Sequence, residues 1–566
     1  MSPNQIPDHH GKIDAINSRI NEPFLQKSGL NDHNLKFCLL FSVIILIALA
    51  LRLPKLEQRP MHGDEAVNAV KLAELMESGS FVYDPTEYHG PTLYYFSLPL
   101  TWLRGQNTLS DLQESTLRLV PVIFGTGLII LLLLLRSTVN QSILLLTALL
   151  AAISAPLVFY SRYFIHEMVL VFSVYAFLFL MERYRRSFNK TALVFSALAL
   201  SMMISTKETW IILLAAMLLA YGTVHIHLQK KNIRHTEWSL KFTRGHILVF
   251  TGIALVTVIL FYSNFGSQWQ NLTEAVRAWS HYWERGSSNE IHRHPWYMYL
   301  KWLFFFRSVE GTLFSEGIIA LLAMVGLRVA FNPVDKESAD QSFVRFLVLF
   351  SIYSLILFSL IPYKTPWNLL TFWFGWLFLA AIGVLAIPGL FKTRLQRVVA
   401  YTLLVLAALQ IAGQSYRISF IRYAHADNPF VYAHPTEDVL RMADALKAIA
   451  VSLSEGYDIH VDIIAAGDDY WPLPWYLRRF NRIGWWNHVD MHAPAAPVIL
   501  IQAGLEDNLI RKLYELPPPG QRRLYVPLFD TCTELRPGVE WRGYVALNVL
   551  NSGKVEPIVD SLRYGP

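Results

Sequence analysis

PMHGDEAVNAVKLAELMESGSFVYDPTEYHGPTLYY, residues 60–95, is the stretch on which the reading of the chain turns. One long apolar run precedes it and many follow. Here the hydropathy breaks. Asp64 and Glu65 stand side by side next to His62 and Gly63, and a second polar cluster, Tyr83, Asp84, Glu87, Tyr88 and His89, comes before the apolar pattern resumes. Membrane packing gives no reason to gather so many ionisable groups directly after a first membrane helix. The stretch therefore reads as the catalytic loop of a membrane enzyme. Within it, AVNAVKLAELM (66–76) has helical periodicity, with Val67, Val70, Leu72 and Leu75 as its apolar positions. PTLYYFSLPLTWLR (91–104) opens with a proline suited to a first helical turn. It is too short for a full crossing, which points to an interfacial or partly inserted helix.

Outward from this loop the chain is mostly membrane. Of 566 residues, 53% are hydrophobic and 16% charged, with a mean hydropathy of +0.32, against about 25% charged residues in a soluble protein. Apolar runs place spans at about 36–53, 117–135, 141–160, 165–181, 190–206, 208–224, 246–262, 312–330, 343–361, 367–388 and 396–413, eleven in all. A polar tail, 1–35, precedes them, and no cleavage site follows the first. The basic loops 182–190, 225–245 and 392–397 all fall on the side of the N-terminus, which makes that side cytoplasmic. The loops 54–115, 263–311 and 362–366 and everything after 414 then lie outside. The net charge of +6 resides in these short loops and implies no nucleic acid partner. Cys38 and Cys532 are too far apart in sequence and expected location to suggest a disulfide.

From about 425 the pattern changes. HPTEDVLRMADALKAIAVSL (434–453) is an amphipathic helix pattern, and 459–467, 497–503, 522–529 and 541–550 read as strands. Residues 425–566 are expected to form a small α/β domain outside the membrane. The other divisions are a cytoplasmic tail (1–35) and a transmembrane domain (36–424) with outer catalytic loops at 54–115 and 263–311.

Further candidates lie on the expected outer face. A carboxylate at Asp64 or Glu65 can take a proton from an acceptor or hold a divalent ion, and the plain alternative is a solvated loop. In YSRYFIHEMVLVF (160–172), Arg162, His166 and Glu167 cluster at a turn. Glu167 either caps the following span or, with His166, faces the first-loop acids, while Arg162 pairs with phosphate or acid. Lys207 and Glu208 break an apolar run, either as a pair or with the lysine on a lipid phosphate. Lys364, wedged between Pro362 and Pro366, is a phosphate ligand or a snorkelling lysine. Trp283, His294 and Trp367 are candidate sugar or acceptor contacts, as are His62, Tyr83, Glu87, Tyr88 and His89. His292 and His294 form a weak metal pattern. Asp468, Asp469 and Tyr470 follow a strand at its carboxyl end and serve either domain docking or sugar contact.

A membrane body, acids in the first outer loop, a further acid after an outer Ser-Arg and a soluble C-terminal domain together resemble the GT-C class of glycosyltransferases. That class includes protein O-mannosyltransferases and lipid A aminoarabinose transferases. The resemblance rests on HGDEAVNAVK (62–71), YDPTEYHGPTLYY (83–95), SRYFIHE (161–167), TKE (206–208), HPWYMYL (294–300), YKTPWN (363–368), NPFVYAHPTED (428–438) and GDDYWPLPWYLR (467–478). More narrowly, the chain looks like the flippase-activity-associated protein family of archaea and bacteria. The resemblance implies a polytopic α-helical membrane protein of GT-C type with about 11 transmembrane helices and a C-terminal extracytoplasmic α/β domain, located in the plasma membrane. It implies an inverting transfer of sugar from a polyprenyl-phosphate donor at the outer face, with Asp64 or Glu65 as base. Arg162, Lys207 and Lys364 would stabilise the phosphate, and His166 and Glu167 would orient the attacking group. A divalent ion (Mg, Mn or Zn) on Asp64, Glu167 and His294 is left open, as is the acceptor, whether lipid, glycan or protein. A WWDYG-type motif is missing and GDDYW is only superficially similar, which argues against en bloc transfer to asparagine. The alternatives are a flippase or transporter of the lipid-linked sugar and a non-catalytic subunit of a glycosylation complex.

Overall fold

The structure, a computed structural model, describes residues 32–86, 89–230, 240–288, 292–307, 313–331, 339–518, 520–529 and 531–551. By packing, the chain divides into two compact units. Unit 1 comprises 1–56, 80–97 and 118–422; unit 2 comprises 57–79, 98–117 and 423–566. This division does not follow the expected boundary near 425. Parts of the first polar loop pack with the C-terminal region, because that region supplies the apolar and hydrogen-bonding partners that a short polar loop cannot supply for itself.

Unit 1 is helical. Among the described residues a helix stands at each of the eleven expected spans, and seven of the helices are long and apolar enough to cross a membrane. Gln141–Ile153, Lys190–Ile204 and Gly317–Phe331 are shorter apolar helices, and Glu167–Ser187 carries Glu182, Arg183, Arg185 and Arg186 in its last turns. The segment Pro366–Leu390 is the most enclosed, with Trp373 fully buried, whereas Arg244–Tyr262 and Arg394–Ile421 expose apolar faces such as Leu248, Leu255, Leu403 and Leu409. A helix that shows leucine outward is stable only against lipid. The chain is a multi-pass membrane protein. A close helix crossing joins Gly317–Phe331 and Leu370–Ala386: a Cβ on Gly326 would lie 2.0 Å from the Leu379 carbonyl oxygen, and one on Gly383 would lie 2.0 Å from that of Leu322. Small residues let the two backbones touch, the usual way to gain packing where lipid offers no hydrophobic drive.

Unit 2 is built on a mixed sheet in the order Ile483–Trp486, Val461–Ile464, Val498–Gln502, Val539–Ala546, Tyr525–Pro527, with Thr533–Arg536 also paired to Val539–Ala546. The first three strands are parallel, with Ile463 opposite Leu500; Val539–Ala546 runs antiparallel, with Leu500 opposite Gly543. One face is covered by a cluster that includes Ile464, Ile499, Ile501, Leu509 and Leu513. The Asp438–Ser452 helix buries Val439, Met442, Ala443, Leu446 and Ile449, the stripe expected from its 3.6-residue period. The four expected strands are present. Ile483–Trp486 and Thr533–Arg536 were not foreseen, since each is four residues long and neither carries a strong apolar alternation.

The Gly63–Ser78 helix also belongs to unit 2. Its closest face is Ala66, Ala69, Leu72, Ala73 and Leu75, with Val67 and Val70 only half-buried. Hydropathy pointed to the valines; close approach selected the alanines.

Candidate active site

In unit 2 the helix start decides what Asp64 and Glu65 can do. His62 is the N-cap: its Nδ1 accepts from the Asp64 N–H at 3.0 Å, and the Glu65 carboxylate accepts from the His62 N–H at 2.9 Å, a capping box with histidine in the usual Ser/Thr place. Glu65 is fully buried and also pairs with Arg59 Nη2 at 2.9 Å. Arg59 Nη1 reaches His434 Nε2 at 3.0 Å, and the other His434 nitrogen donates to Pro435 O at 2.7 Å. His62 Nε2 donates to Tyr432 O at 2.9 Å, and the Met61 N–H donates to the Tyr476 hydroxyl at 2.7 Å. Arg59, Tyr432, His434 and Tyr476 thus fix the helix start; sequence pattern alone does not single out Arg59, Tyr432 or His434. The Asp64 side chain is 56% exposed, with His62 Nδ1 3.8 Å from its carboxylate. Neighbouring carboxylates therefore differ completely: Glu65 is a locked structural acid, and Asp64 is an open one.

Asp468, Asp469 and Tyr470 lie elsewhere in unit 2. Asp469 pairs with Arg536, and Tyr470 packs on Trp485 with ring centroids 4.8 Å apart. Asp468 is exposed, at a φ of 60°.

In unit 1 three short segments, 89–92, 161–167 and 205–209, are laced together. The Gly90 N–H donates to Thr206 O at 3.2 Å, Thr92 Oγ1 donates to Thr206 Oγ1 at 2.8 Å, and His166 Nε2 donates to Gly90 O at 3.0 Å. Gly90 is required here, since a Cβ would lie 2.2 Å from Ser205 O. Lys207 and Glu208 do not pair with each other. Lys207 is ion-paired to Glu167, and Glu208 accepts from the Tyr83 hydroxyl at 2.6 Å and from His89 Nδ1 at 2.7 Å. Neighbours in a turn point apart, so each finds its own partner. Burial works to raise the Glu208 carboxyl, but His89 and the two hydrogen bonds outweigh it and hold the group below the usual value. The His166 ring stands edge-on to His89 at 5.2 Å; its Nδ1 is buried and has no hydrogen-bond partner among the described residues. Asn271, which sequence reading had passed over, holds Tyr83 in place through the Tyr83 N–H at 3.0 Å and Phe81 O at 2.7 Å.

Arg162 is engaged with backbone. It donates to Arg52 O at 2.9 Å, Pro54 O at 2.6 Å and Lys55 O at 3.0 Å, and lies 4.4 Å over the Phe420 ring. Its visible work is to fix the end of the first span. Lys364 is buried and donates to His294 O at 3.3 Å and to Ile361 O. The strip 292–294 pairs with 362–364, through the Lys364 N–H on His292 O at 3.0 Å and the His294 N–H on Pro362 O at 3.1 Å. Desolvation lowers the Lys364 ammonium; desolvation, with His292 and Lys364 nearby, lowers His294. Trp367 is buried edge-on to Tyr160 at 6.1 Å. Glu87 and Tyr88 lie outside the described residues, as does the side chain of Trp283 in the Gln270–Ser288 helix. Glu316, unremarked in the sequence, is fully buried and accepts from Ser154 Oγ at 2.9 Å, the Ala155 N–H at 2.5 Å and Trp373 Nε1 at 3.0 Å. Among the described residues no group of three His, Cys, Asp or Glu stands together as a metal site.

The fold is that of the GT-C class of membrane glycosyltransferases. Residues 89–269, the segment that carries His89, Arg162, His166, Glu167 and Lys207, match the family model of dolichyl-phosphate-mannose-protein mannosyltransferase. Among solved structures, ArnT from Cupriavidus metallidurans in the apo state is similar at 14% identity and a TM-score of 0.56, over 89% of this chain and 97% of that chain. The same protein bound to undecaprenyl phosphate gives a TM-score of 0.53. Archaeal oligosaccharyltransferase AglB from Archaeoglobus fulgidus, in complex with an inhibitory peptide and a dolichol-phosphate, is similar at 12% identity and a TM-score of 0.50, over 84% of this chain and 70% of that chain. No curated protein sequence matches the chain.

Proposed function

We propose that the protein is a glycosyltransferase that moves a sugar from a polyprenyl-phosphate donor to an acceptor hydroxyl or amine at the outer membrane face. The observation that carries the assignment of roles is the contrast between Asp64 and Glu65. A base must reach its substrate, and of the two only Asp64 has an exposed carboxylate. Asp64 takes the acceptor proton, the acceptor atom bonds to the anomeric carbon with inversion, and the carbon–oxygen bond to phosphate breaks. Polyprenyl phosphate leaves with the electron pair. Phosphate is already a good leaving group, so no external acid is required.

The cations of unit 1 are assigned to the phosphate. Lys207, poised on Glu167, and Lys364, whose buried ammonium donates to carbonyls among the described residues, suit a charge that develops late in the reaction. Lys364 gains from a phosphate oxygen a charged partner that its carbonyl acceptors do not supply. Undecaprenyl phosphate bound to ArnT and dolichol-phosphate bound to AglB support this donor class. The excess of Lys and Arg in loops on the N-terminal side supports an inward N-terminus and an outward unit 2.

The test is release of free polyprenyl phosphate from a panel of radiolabelled polyprenyl-phosphate sugars by the purified protein in lipid, with a membrane extract as acceptor. Asp64→Asn is expected to lose about 10²-fold or more of the turnover while unfolding at the wild-type temperature. Equal turnover in Asp64→Asn would sink the assignment of the base. Movement of lipid-linked sugar across the bilayer with no release would sink the transferase reading in favour of a flippase.

A further inference from the structure

A cavity of about 510 Å³ opens within unit 2, between the end of the Gly63–Ser78 helix, the 108–111 turn and the 457 and 478–481 segments. That volume lies in the range of roughly 300–1,000 Å³ typical of small-ligand sites. Its wall carries two carboxylates and two guanidinium groups, with hydroxyls, an amide and one aromatic ring among them.

The wall is built rather than incidental. Asp111 Oδ2 accepts from the Asn107 N–H at 3.2 Å, the Thr108 N–H at 3.0 Å and Thr108 Oγ1 at 2.8 Å, and Glu77 accepts from the Leu109 N–H at 3.0 Å. The Thr108 bonds, with the one from Asn107, hold the Asp111 carboxyl below its usual value, so it stays ionised. Arg478 is fixed over the Trp475 ring at 3.8 Å and donates to Trp475 O at 2.7 Å and Leu112 O at 2.9 Å. Tyr457 stands edge-on to Phe480 at 5.1 Å, and its backbone carbonyl holds the Asn481 N–H at 3.0 Å. Arg479 is exposed at the opening.

The chemistry of this wall selects among ligands. An anion accepts hydrogen bonds but does not donate them, and it would face two carboxyl groups. A cation would face two guanidinium groups. A sugar hydroxyl both donates and accepts, so it satisfies carboxylate and guanidinium together, and a held aromatic ring gives an apolar sugar face a surface. We infer that this cavity of unit 2 is a saccharide site that takes a neutral unit of a glycan. Glu77 and Asp64 stand at opposite ends of one helix, thirteen residues and about 20 Å apart. If the transferase reading holds, the cavity grips a part of a glycan acceptor remote from the reacting hydroxyl; the binding site itself does not depend on that reading.

The experiment titrates the full-length protein in detergent with maltotriose, mannotriose, chitotriose and, separately, inorganic phosphate, using saturation-transfer NMR and calorimetry. Ser110→Trp fills the cavity, and Arg479→Ala removes an exposed donor. The expected result is saturable binding of at least one trisaccharide, weakened about tenfold or more in both variants, with wild-type unfolding temperatures and with binding intact in Asp64→Asn. No trisaccharide binding, or binding unchanged in Ser110→Trp, overturns the inference. So does phosphate binding tighter than every trisaccharide and lost in the same variants, and so does loss of trisaccharide binding in Asp64→Asn, which would place the sugar elsewhere. Trisaccharide binding without any release of polyprenyl phosphate keeps this site and removes the transferase reading.

Discussion

Asp64 and Glu65 are chemically near-twins, and the backbone makes them different. On a helix, successive side chains point about 100° apart, so one of the pair turns inward to the capping box and Arg59 while the other turns to solvent. Glu65→Gln leaves Arg59 buried beside a neutral amide, and breaking a buried pair costs about 3–5 kcal/mol. The expected outcome is a clear fall in unfolding temperature and a loss of activity that follows the loss of fold; Asp64→Asn should instead lose activity at unchanged stability. His434 gives a pH signature. Burial, with Arg59 and His62 close by, pushes it well below its ordinary 6.5, against a smaller raising effect of Glu65. The unfolded chain binds that proton near pH 6.5, and the folded chain refuses it. The contribution to stability is therefore fully present above about pH 6.5 and declines as pH falls, by up to ~1.4 kcal/mol per pH unit. Unfolding temperatures measured at pH 7.5 and 5.5 should differ by less in His434→Gln than in wild type.

At the scale of elements, close backbone contact replaces hydrophobic drive. Gly326→Leu places a side chain where the Leu379 carbonyl already stands, so the Gly317–Phe331 and Leu370–Ala386 helices must part. Overpacking of this kind costs about 1–3 kcal/mol or more, and the variant should show reduced yield of folded protein in detergent and a lower unfolding temperature. Gly90→Ala makes the same collision with Ser205 O on a short loop. There the 89–92 segment, buried from Gly90 on, is tied to Thr206 and His166, so relieving the collision strains those bonds and carries His89 away from Glu208. The variant is expected to unfold at a lower temperature than wild type and, in the fraction that folds, to release polyprenyl phosphate at least tenfold more slowly, since misplacement by about 1 Å can cost ~10²-fold.

At the scale of the whole molecule, the first polar loop owes its order to residues several hundred positions later. Arg59 and Lys71 are both buried within unit 2, and Arg59, His62 and Met61 reach His434, Tyr432 and Tyr476. A chain truncated after residue 424 loses those partners. Limited trypsin digestion should cut it at Lys71, while the full-length protein resists there. Equal resistance of the two chains would mean that the helix start holds without unit 2.

Composition and period by themselves determined the apolar spans, the existence of the Gly63–Ser78 and Asp438–Ser452 helices, four of the six strands of the unit 2 sheet, and the stretches in which charge departs from membrane packing. Each of these is a local property: a run long enough to cross lipid, a 3.6-residue stripe, a charge where apolar residues were expected. What Asp64, Lys207, Glu208 and Arg162 hold was decided only in three dimensions. Adjacent letters point apart on a helix or turn, and their partners arrive from distant segments: Lys207 meets Glu167, Glu208 meets Tyr83 and His89, and Arg162 meets the carbonyls of 52–55. Buried hydrogen bonds and ion pairs are settled by which groups the packing brings within 3 Å, and a linear pattern does not carry that information.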